Sequence, residues 1–153
     1  MKKNKNLNLV IATDHRGYAM KEFLKATVNL SPYILSWIDV GAFDDERSDY
    51  PEFAIPAIEQ MRSDKADYGI LLCGTGIGMA IIANRYPGIY AGLAWNKQIA
   101  QESKEDDNTN VLALPSDYVT NEQAQEMVEV WLNTEFKKGR YQKRIDMIDA
   151  IEI

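Results

Sequence analysis

Tyr68-Gly-Ile-Leu-Leu-Cys73 runs directly into Gly74-Thr-Gly-Ile-Gly78, and this junction decides the fold. A short apolar run that stops at glycines has the length and composition of a buried parallel strand. The following Met79-Ala-Ile-Ile-Ala-Asn84 suits a helix that opens at the turn. Strand, glycine-rich turn and helix make a βα unit. In open α/β sheets, ligands bind at the carboxyl ends of the strands, and amides at a helix start favour anions. Cys73, the only cysteine in the chain, stands at such an edge. Two readings stay open on position alone: a reactive thiolate, or a small buried hydrophobe at a strand end. The glycines lack the lysine of a triphosphate-binding loop and the spacing of a dinucleotide fingerprint.

Outward from this unit, strand-like and helix-like segments alternate. Leu7 to Thr13 predicts a first strand and Gly17 to Leu30 an amphipathic helix, with Met20, Phe23, Leu24, Ala26 and Val28 as its apolar residues. Tyr33 to Val40 predicts a second strand, followed by a polar loop from Gly41 to Tyr50. Pro51 suits a helix N1 position, and Phe53, Ala54, Ala57, Ile58 and Met61 recur at helical spacing, with Pro56 a local weak point. The remaining strands are expected at Ile89–Trp95 and Asn110–Leu114. Helices are expected at Gly76–Arg85, Lys97–Lys104 and Asn121–Leu132, with Gly139 a break before a basic C-terminal helix over about 137–150. Five strands separated by helices predict a parallel sheet covered on both faces, in one domain over residues 1–153.

Composition narrows the function. The 153 residues carry a net charge of −6, which argues against non-specific nucleic-acid binding. One cysteine and one histidine leave too few soft ligands for a zinc site, so no metal or other cofactor is expected. No apolar run approaches membrane-spanning length, and the opening Met1-Lys-Lys-Asn-Lys-Asn6 leads into a strand rather than the apolar core of a signal peptide. The reading is a cytoplasmic protein.

Three further clusters carry polar chemistry. Thr13-Asp14-His15-Arg16-Gly17 brings a carboxylate and the only imidazole to the first strand's carboxyl end, the same edge as Cys73. Asp14 also suits a helix cap, with His15 a solvated loop residue. Lys137-Lys-Gly-Arg140-Tyr-Gln-Lys143-Arg144 places five cations in eight residues, with Arg140 and Arg144 four apart on one helical face. Two guanidinium forks suit a phosphate, while charge runs are also ordinary solvated helix faces. In Ser103-Lys-Glu-Asp-Asp-Asn-Thr-Asn110, Asp106 and Asp107 offer paired carboxylates, or simply a helix end and a turn.

The ordered set Asp14-His15-Arg-Gly17, Ser48-Asp-Tyr50-Pro51, Ile70-Leu-Leu-Cys-Gly-Thr-Gly-Ile-Gly78, Ala83-Asn84, Asn108-Thr-Asn-Val-Leu-Ala113, Trp131-Leu-Asn-Thr-Glu-Phe136 and Gly139-Arg140 with Arg144 resembles the ribose-5-phosphate isomerase B family. The resemblance spans nearly the whole chain and implies a three-layer αβα sandwich with a Rossmann-like five-stranded parallel sheet. It implies a metal-independent aldose–ketose isomerase of pentose phosphate metabolism that interconverts ribose 5-phosphate and ribulose 5-phosphate through an enediolate. By matched position Cys73 is the base and Thr75 orients the substrate. Asp14, His15, Tyr50, Gly74, Gly76, Ile77, Gly78, Asp107, Arg140 and Arg144 bind it. The resemblance also implies a homodimer or homotetramer whose sites combine residues of two subunits. The chain departs from the family pattern at Asp107, where an asparagine is common, at the variant fourth-strand end Gly92-Leu-Ala-Trp95-Asn96, and at two positions that bear on the chemistry. Asp106 stands where the family carries its ring-opening histidine, and Asp117 where an arginine is common. Ring opening then falls to Asp106, to His15 or to water, or is bypassed by open-chain sugar. A galactose-6-phosphate or other six-carbon isomerase, and a non-catalytic sugar-phosphate-binding protein, are the alternatives.

Overall fold

In the computed structural model, which describes residues 6–152, five strands form one parallel sheet. The stretch 1–5, read above as no signal peptide, lies outside the described residues. The strands are β1 (Asn6–Thr13), β2 (Ile34–Asp39), β3 (Tyr68–Cys73), β4 (Ala91–Leu93) and β5 (Val111–Pro115), and their order across the sheet is β2-β1-β3-β5-β4. The helices are α1 (Tyr18–Thr27), α2 (Pro51–Arg62), α3 (Ile77–Ala83), α4 (Lys97–Asp107), α5 (Asn121–Asn133) and α6 (Arg140–Asp149). The α/β sandwich expected from the sequence is the fold observed.

Side-chain alternation along the strands splits the core into two layers. Val10, Ala12, Leu71, Cys73, Val111 and Ala113 pack with Ala54, Ala57, Ile58 and Met61 of α2 and Met79 and Ala83 of α3. Ile11, Ile70, Leu72, Leu112 and Leu114 pack on the opposite face with α1, α4 and α5, whose Leu24, Ala100 and Trp131 are fully buried. Each such leucine or isoleucine contributes about 1.5–3 kcal/mol by leaving water. Pro56 sits inside α2 on its exposed side, so the carbonyl it leaves unpaired can meet solvent and the helix continues.

Several boundaries differ from expectation. The fourth strand is three residues rather than seven, because β4 lies at the sheet's edge and only Ala91–Leu93 pair with β5. Trp95 has turned outward and is 56% exposed. The fourth helix runs three residues past Lys104 to Asp107, where Asn108 adopts a left-handed cap (φ 48°). Asp106 and Asp107 therefore belong to a helix end rather than a loop. The first helix begins at Tyr18, after a 3-10 turn over His15–Gly17, and ends at Thr27, three residues short of Leu30.

Candidate active site

The carboxyl ends of β1 and β3, paired side by side, deliver most of the expected site residues to one edge. Cys73 closes β3 and is buried, 4% exposed, on the α2–α3 face of the sheet. The turn beyond it depends on its glycines. Gly76 has φ +73°, and a Cβ there would come within 2.6 Å of Leu93 Cδ1. A Cβ on Gly78 would lie 2.5 Å from Cζ of Tyr50, so this glycine lets the tyrosine ring seat on the first turn of α3. Thr75 Oγ1 accepts the amide of Ile77 at 3.2 Å, which steadies the turn.

From β1 come Asp14 and His15. Asp14 is 5% exposed, and its carboxylate accepts the Arg16 amide at 3.0 Å, capping the 3-10 turn. His15 is fixed by the loop that follows β2: its Nδ1 accepts the Ser48 amide at 3.2 Å, and its own amide donates to Ser48 Oγ at 3.1 Å. With Nδ1 accepting, the neutral ring carries its proton on Nε2 and presents a donor.

That loop is anchored from below. Asp39, at the end of β2, accepts Lys21 Nζ at 2.6 Å, Lys25 Nζ at 2.7 Å and the Gly41 amide at 2.9 Å. Burial pushes the Asp39 carboxyl up, but hydrogen bonds from Lys21, Lys25 and Gly41 outweigh it and hold it below the usual carboxylate range. Gly41 and Ala42 then exchange backbone bonds of 2.8 and 2.7 Å with Thr13. The loop carrying Ser48 and Tyr50 is thereby tied to the end of β1.

Two residues absent from the sequence-derived site stand at its mouth. The Arg16 guanidinium lies across Gly74 and forms an ion pair with Asp117, beyond β5. This pair raises the guanidinium pKa above its ordinary value, burial opposes the shift, and Asp14 and Cys73 add to it. The available signal was a joint one: a cation in the Asp14-His15 motif and an acid where the family commonly has arginine.

Asp106, Asp107, Arg140 and Arg144 are not brought to this edge within the chain. They cluster around the carboxyl end of α4, which precedes the amino end of β5. The β5 register sets Val111 opposite Gly69 and Pro115 opposite Cys73, so roughly 13 Å of strand separates the two levels. Asp106 accepts Lys137 Nζ at 3.1 Å. Arg140, Arg144 and Lys137 surround the Tyr141 ring at 5.1–5.2 Å from its centre. The Arg140 hydrogen bond, with the Lys137 and Arg140 charges, lowers the Tyr141 hydroxyl pKa below its usual value. Both arginines are exposed on one face of α6, as their spacing predicts.

A buried thiol, an oriented imidazole, a capped carboxylate and a guanidinium thus gather around one glycine turn at the carboxyl edge of the sheet, where open α/β folds bind small ligands. A model of the ribose/galactose isomerase family matches residues 9–148. The Escherichia coli ribose-5-phosphate isomerase B is 37% identical over 144 residues, spanning 94% of this chain and 95% of its own. The crystal structure of a Thermotoga maritima ribose 5-phosphate isomerase superimposes with a TM-score of 0.88 at 37% identity, covering 95% of this chain and 99% of that one. The Mycoplasma genitalium ribose-5-phosphate isomerase B, solved with bound ribulose-5-phosphate, gives a TM-score of 0.85 at 34% identity over 93% of both chains. The chain belongs to the ribose/galactose isomerase family.

Proposed function

We propose that the chain interconverts ribose 5-phosphate and ribulose 5-phosphate, with Cys73 as the base. The observation that carries this reading is the placement of the only thiol, Cys73, at the carboxyl end of β3 beside the Gly74–Gly78 turn and next to the end of β1. A Cys73 thiolate takes the proton from C2 of the open-chain aldose. The C–H electron pair becomes the C1=C2 double bond of an enediolate, and the charge moves onto O1. The Cys73 thiol then returns the proton to C1 while O2 gives up its own proton and O1 gains one, so the C1=C2 pair forms the new C1–H bond, C2=O closes, and the ketose results. Amides of the Gly74–Gly78 turn offset the oxyanion charge, and Thr75 orients the sugar. Asp14, His15 and Tyr50 hold hydroxyl groups beside the reacting carbons.

Ring opening and distal binding fall to Asp106, Asp107, Arg140 and Arg144 of a second subunit. The strand-length separation of these residues from Cys73 supports this division. So does an exposed apolar surface suited to association: Ile77 and Ile81, four apart on α3, are 51% and 60% exposed. An Asp106 carboxylate takes the anomeric hydroxyl proton while water protonates the departing ring oxygen, in place of a histidine that would donate to that oxygen.

The test is an isomerase assay without added metal on ribose 5-phosphate and galactose 6-phosphate, with wild type, Cys73→Ala and Cys73→Ser. Removing the base is expected to lower turnover by at least about a hundredfold. A Cys73→Ala enzyme as fast as wild type removes the thiol from the mechanism. Faster turnover of the six-carbon substrate reassigns the sugar.

A further inference from the structure

The turn that follows β5 is stitched to the end of β3 by three hydrogen bonds. The Ser116 amide and Oγ both donate to the Cys73 carbonyl, at 2.9 and 3.1 Å, and the Asp117 amide donates to the Gly74 carbonyl at 3.0 Å. The Asp117 carboxylate is therefore registered to the glycine turn. It holds Nη2 of Arg16, whose guanidinium covers the space that any side chain at position 74 would fill. Arg16 reaches this point from the 3-10 turn before α1, while Cys73 packs on the opposite, α2–α3 face. A cation thus lies beside the reactive residue, on the other side of the strand end.

An ordinary surface ion pair contributes little and holds its side chains loosely. This one differs in two respects. Its acid is fixed by backbone bonds to Cys73 and Gly74, and its base occupies a slot that only a glycine leaves open. Among the described residues Asp117 is the only hydrogen-bond partner of the Arg16 guanidinium; Nη2 carries two N–H groups, so the Asp117 bond leaves one two-pronged edge, Nη2 with Nε or Nη2 with Nη1, for a ligand. The Arg16 side chain is 45% exposed. A guanidinium edge with no other partner, held in one orientation at a binding edge, fits two oxygens of a tetrahedral dianion.

We propose that Arg16 is a substrate-binding residue that receives the phosphate of the sugar phosphate from the β1 side, alongside Arg140 and Arg144 of the second subunit, and that Asp117 is the positioning residue that aims it. The inference rests on the sugar-phosphate reading above, and it gives a physical role to the acid at position 117. The pair supplies the cation from the β1 side of the edge instead of from the turn after β5. Because a phosphate bond persists through the reaction, its loss weakens ground state and transition state alike.

Steady-state kinetics on ribose 5-phosphate, with inhibition by inorganic phosphate as a second readout, test this for Arg16→Ala, Arg16→Lys and Asp117→Asn. The Arg16→Ala enzyme is expected to raise KM ten- to a hundredfold, with kcat within threefold of wild type and phosphate inhibition weakened in parallel. Arg16→Lys, which keeps the charge but loses the fork, falls between. Asp117→Asn raises KM less than Arg16→Ala does. Unchanged KM and unchanged phosphate inhibition in Arg16→Ala overturn the proposal, as does a fall in kcat alone. Should wild type fail to turn over ribose 5-phosphate, direct calorimetric titration of inorganic phosphate into wild type and Arg16→Ala still decides the role of Arg16. Equal affinity rejects it.

Discussion

His15 and Ser48, 33 residues apart, exchange two hydrogen bonds: the Ser48 amide donates to Nδ1, and the His15 amide donates to Ser48 Oγ. The first fixes the imidazole tautomer, and it comes from backbone. Ser48→Ala is therefore expected to leave the ring in place and to change KM by less than about threefold, since it removes one neutral bond of about 1 kcal/mol from a loop held elsewhere. His15→Ala, which removes the Nε2 donor itself, is expected to raise KM at least about tenfold. Steady-state kinetics of the two variants separate these roles. Equal effects would mean that the serine hydroxyl, not the backbone amide, orients the ring.

Asp39 joins the second strand to the loop that carries Ser48 and Tyr50, and it faces the fully buried Lys21. Asp39→Asn leaves that ammonium only the half-exposed Glu22 carboxylate, at 3.2 Å, as a charged partner, so the loss should approach the roughly 3–5 kcal/mol of a broken buried pair. Because hydrogen bonds hold the Asp39 carboxyl below its usual range, its contribution is complete above the unfolded carboxylate pKa and is lost as pH falls through the folded one. Urea unfolding at pH 7 and at pH 3 should show a large wild-type advantage that shrinks in acid. An equal gap at both pH values would locate the stabilisation in packing instead.

Gly76→Ala combines a positive φ of +73° with a Cβ 2.6 Å from Leu93 Cδ1 and 3.0 Å from the Leu114 carbonyl carbon. The left-handed conformation alone costs about 1–2 kcal/mol with a side chain, and the backbone neighbour cannot swing away. Thermal unfolding should register that loss, and turnover should fall by more than stability explains because the turn beside Cys73 shifts. Retention of full activity would show that the turn geometry is not needed.

The sheet was legible in the sequence because β3 and β5 are uninterrupted apolar runs, and because the glycines after Cys73 mark where a strand becomes a helix. The strand order was not, since nothing local tells β5 to insert between β3 and β4. Edge strand β4 was overestimated because Ile89, Tyr90 and Trp95 are apolar enough to read as strand, although no second neighbour pairs with them. The end of α4 was missed because Glu105, Asp106 and Asp107 carry no apolar period. Residues such as Asp14, His15 and Cys73 were visible as motif members. The Arg16–Asp117 pair was not, because it spans 101 positions and depends on a turn stitched to β3.

Lys104 is 5% exposed, has no hydrogen-bond partner for Nζ among the described residues, and sits 3.8 Å from the centre of the Tyr68 ring and 4.5 Å from that of Trp131. Burial pushes its pKa down to about 8, with the ring faces favouring the charged form. Between about pH 8 and the unfolded value near 10.5 the unfolded chain binds the extra proton, so stability rises with pH across that window. The Tyr90 hydroxyl, pushed up to about 12 by burial and by Asp149, works in the opposite direction above pH 10. Denaturation between pH 7.5 and about 9.5 avoids the tyrosine, and the difference between wild type and Lys104→Met cancels the groups the two chains share. Lys104→Met should be more stable than wild type at pH 7.5 and should flatten the pH slope. An unchanged slope would mean that Lys104 stays charged in the fold.

The separation of Cys73 from Arg140 and Arg144 along the sheet has a consequence for mixed assemblies. If each site takes its thiol from one subunit and its arginines from the partner, a Cys73→Ala chain and an Arg140→Ala/Arg144→Ala chain are each inactive alone. A dimer holding one of each contains one site with the thiol and both arginines intact, and one site lacking all three. Random mixing after co-refolding makes about half the dimers hybrid, each with half its sites working, so activity should return to about a quarter of wild type. Sites confined to one chain would give no recovery, because neither chain carries a complete set. Sedimentation of the mixture, run beside the assay, must show that dimers form for the comparison to hold, and recovery should follow the hybrid fraction as the mixing ratio is varied.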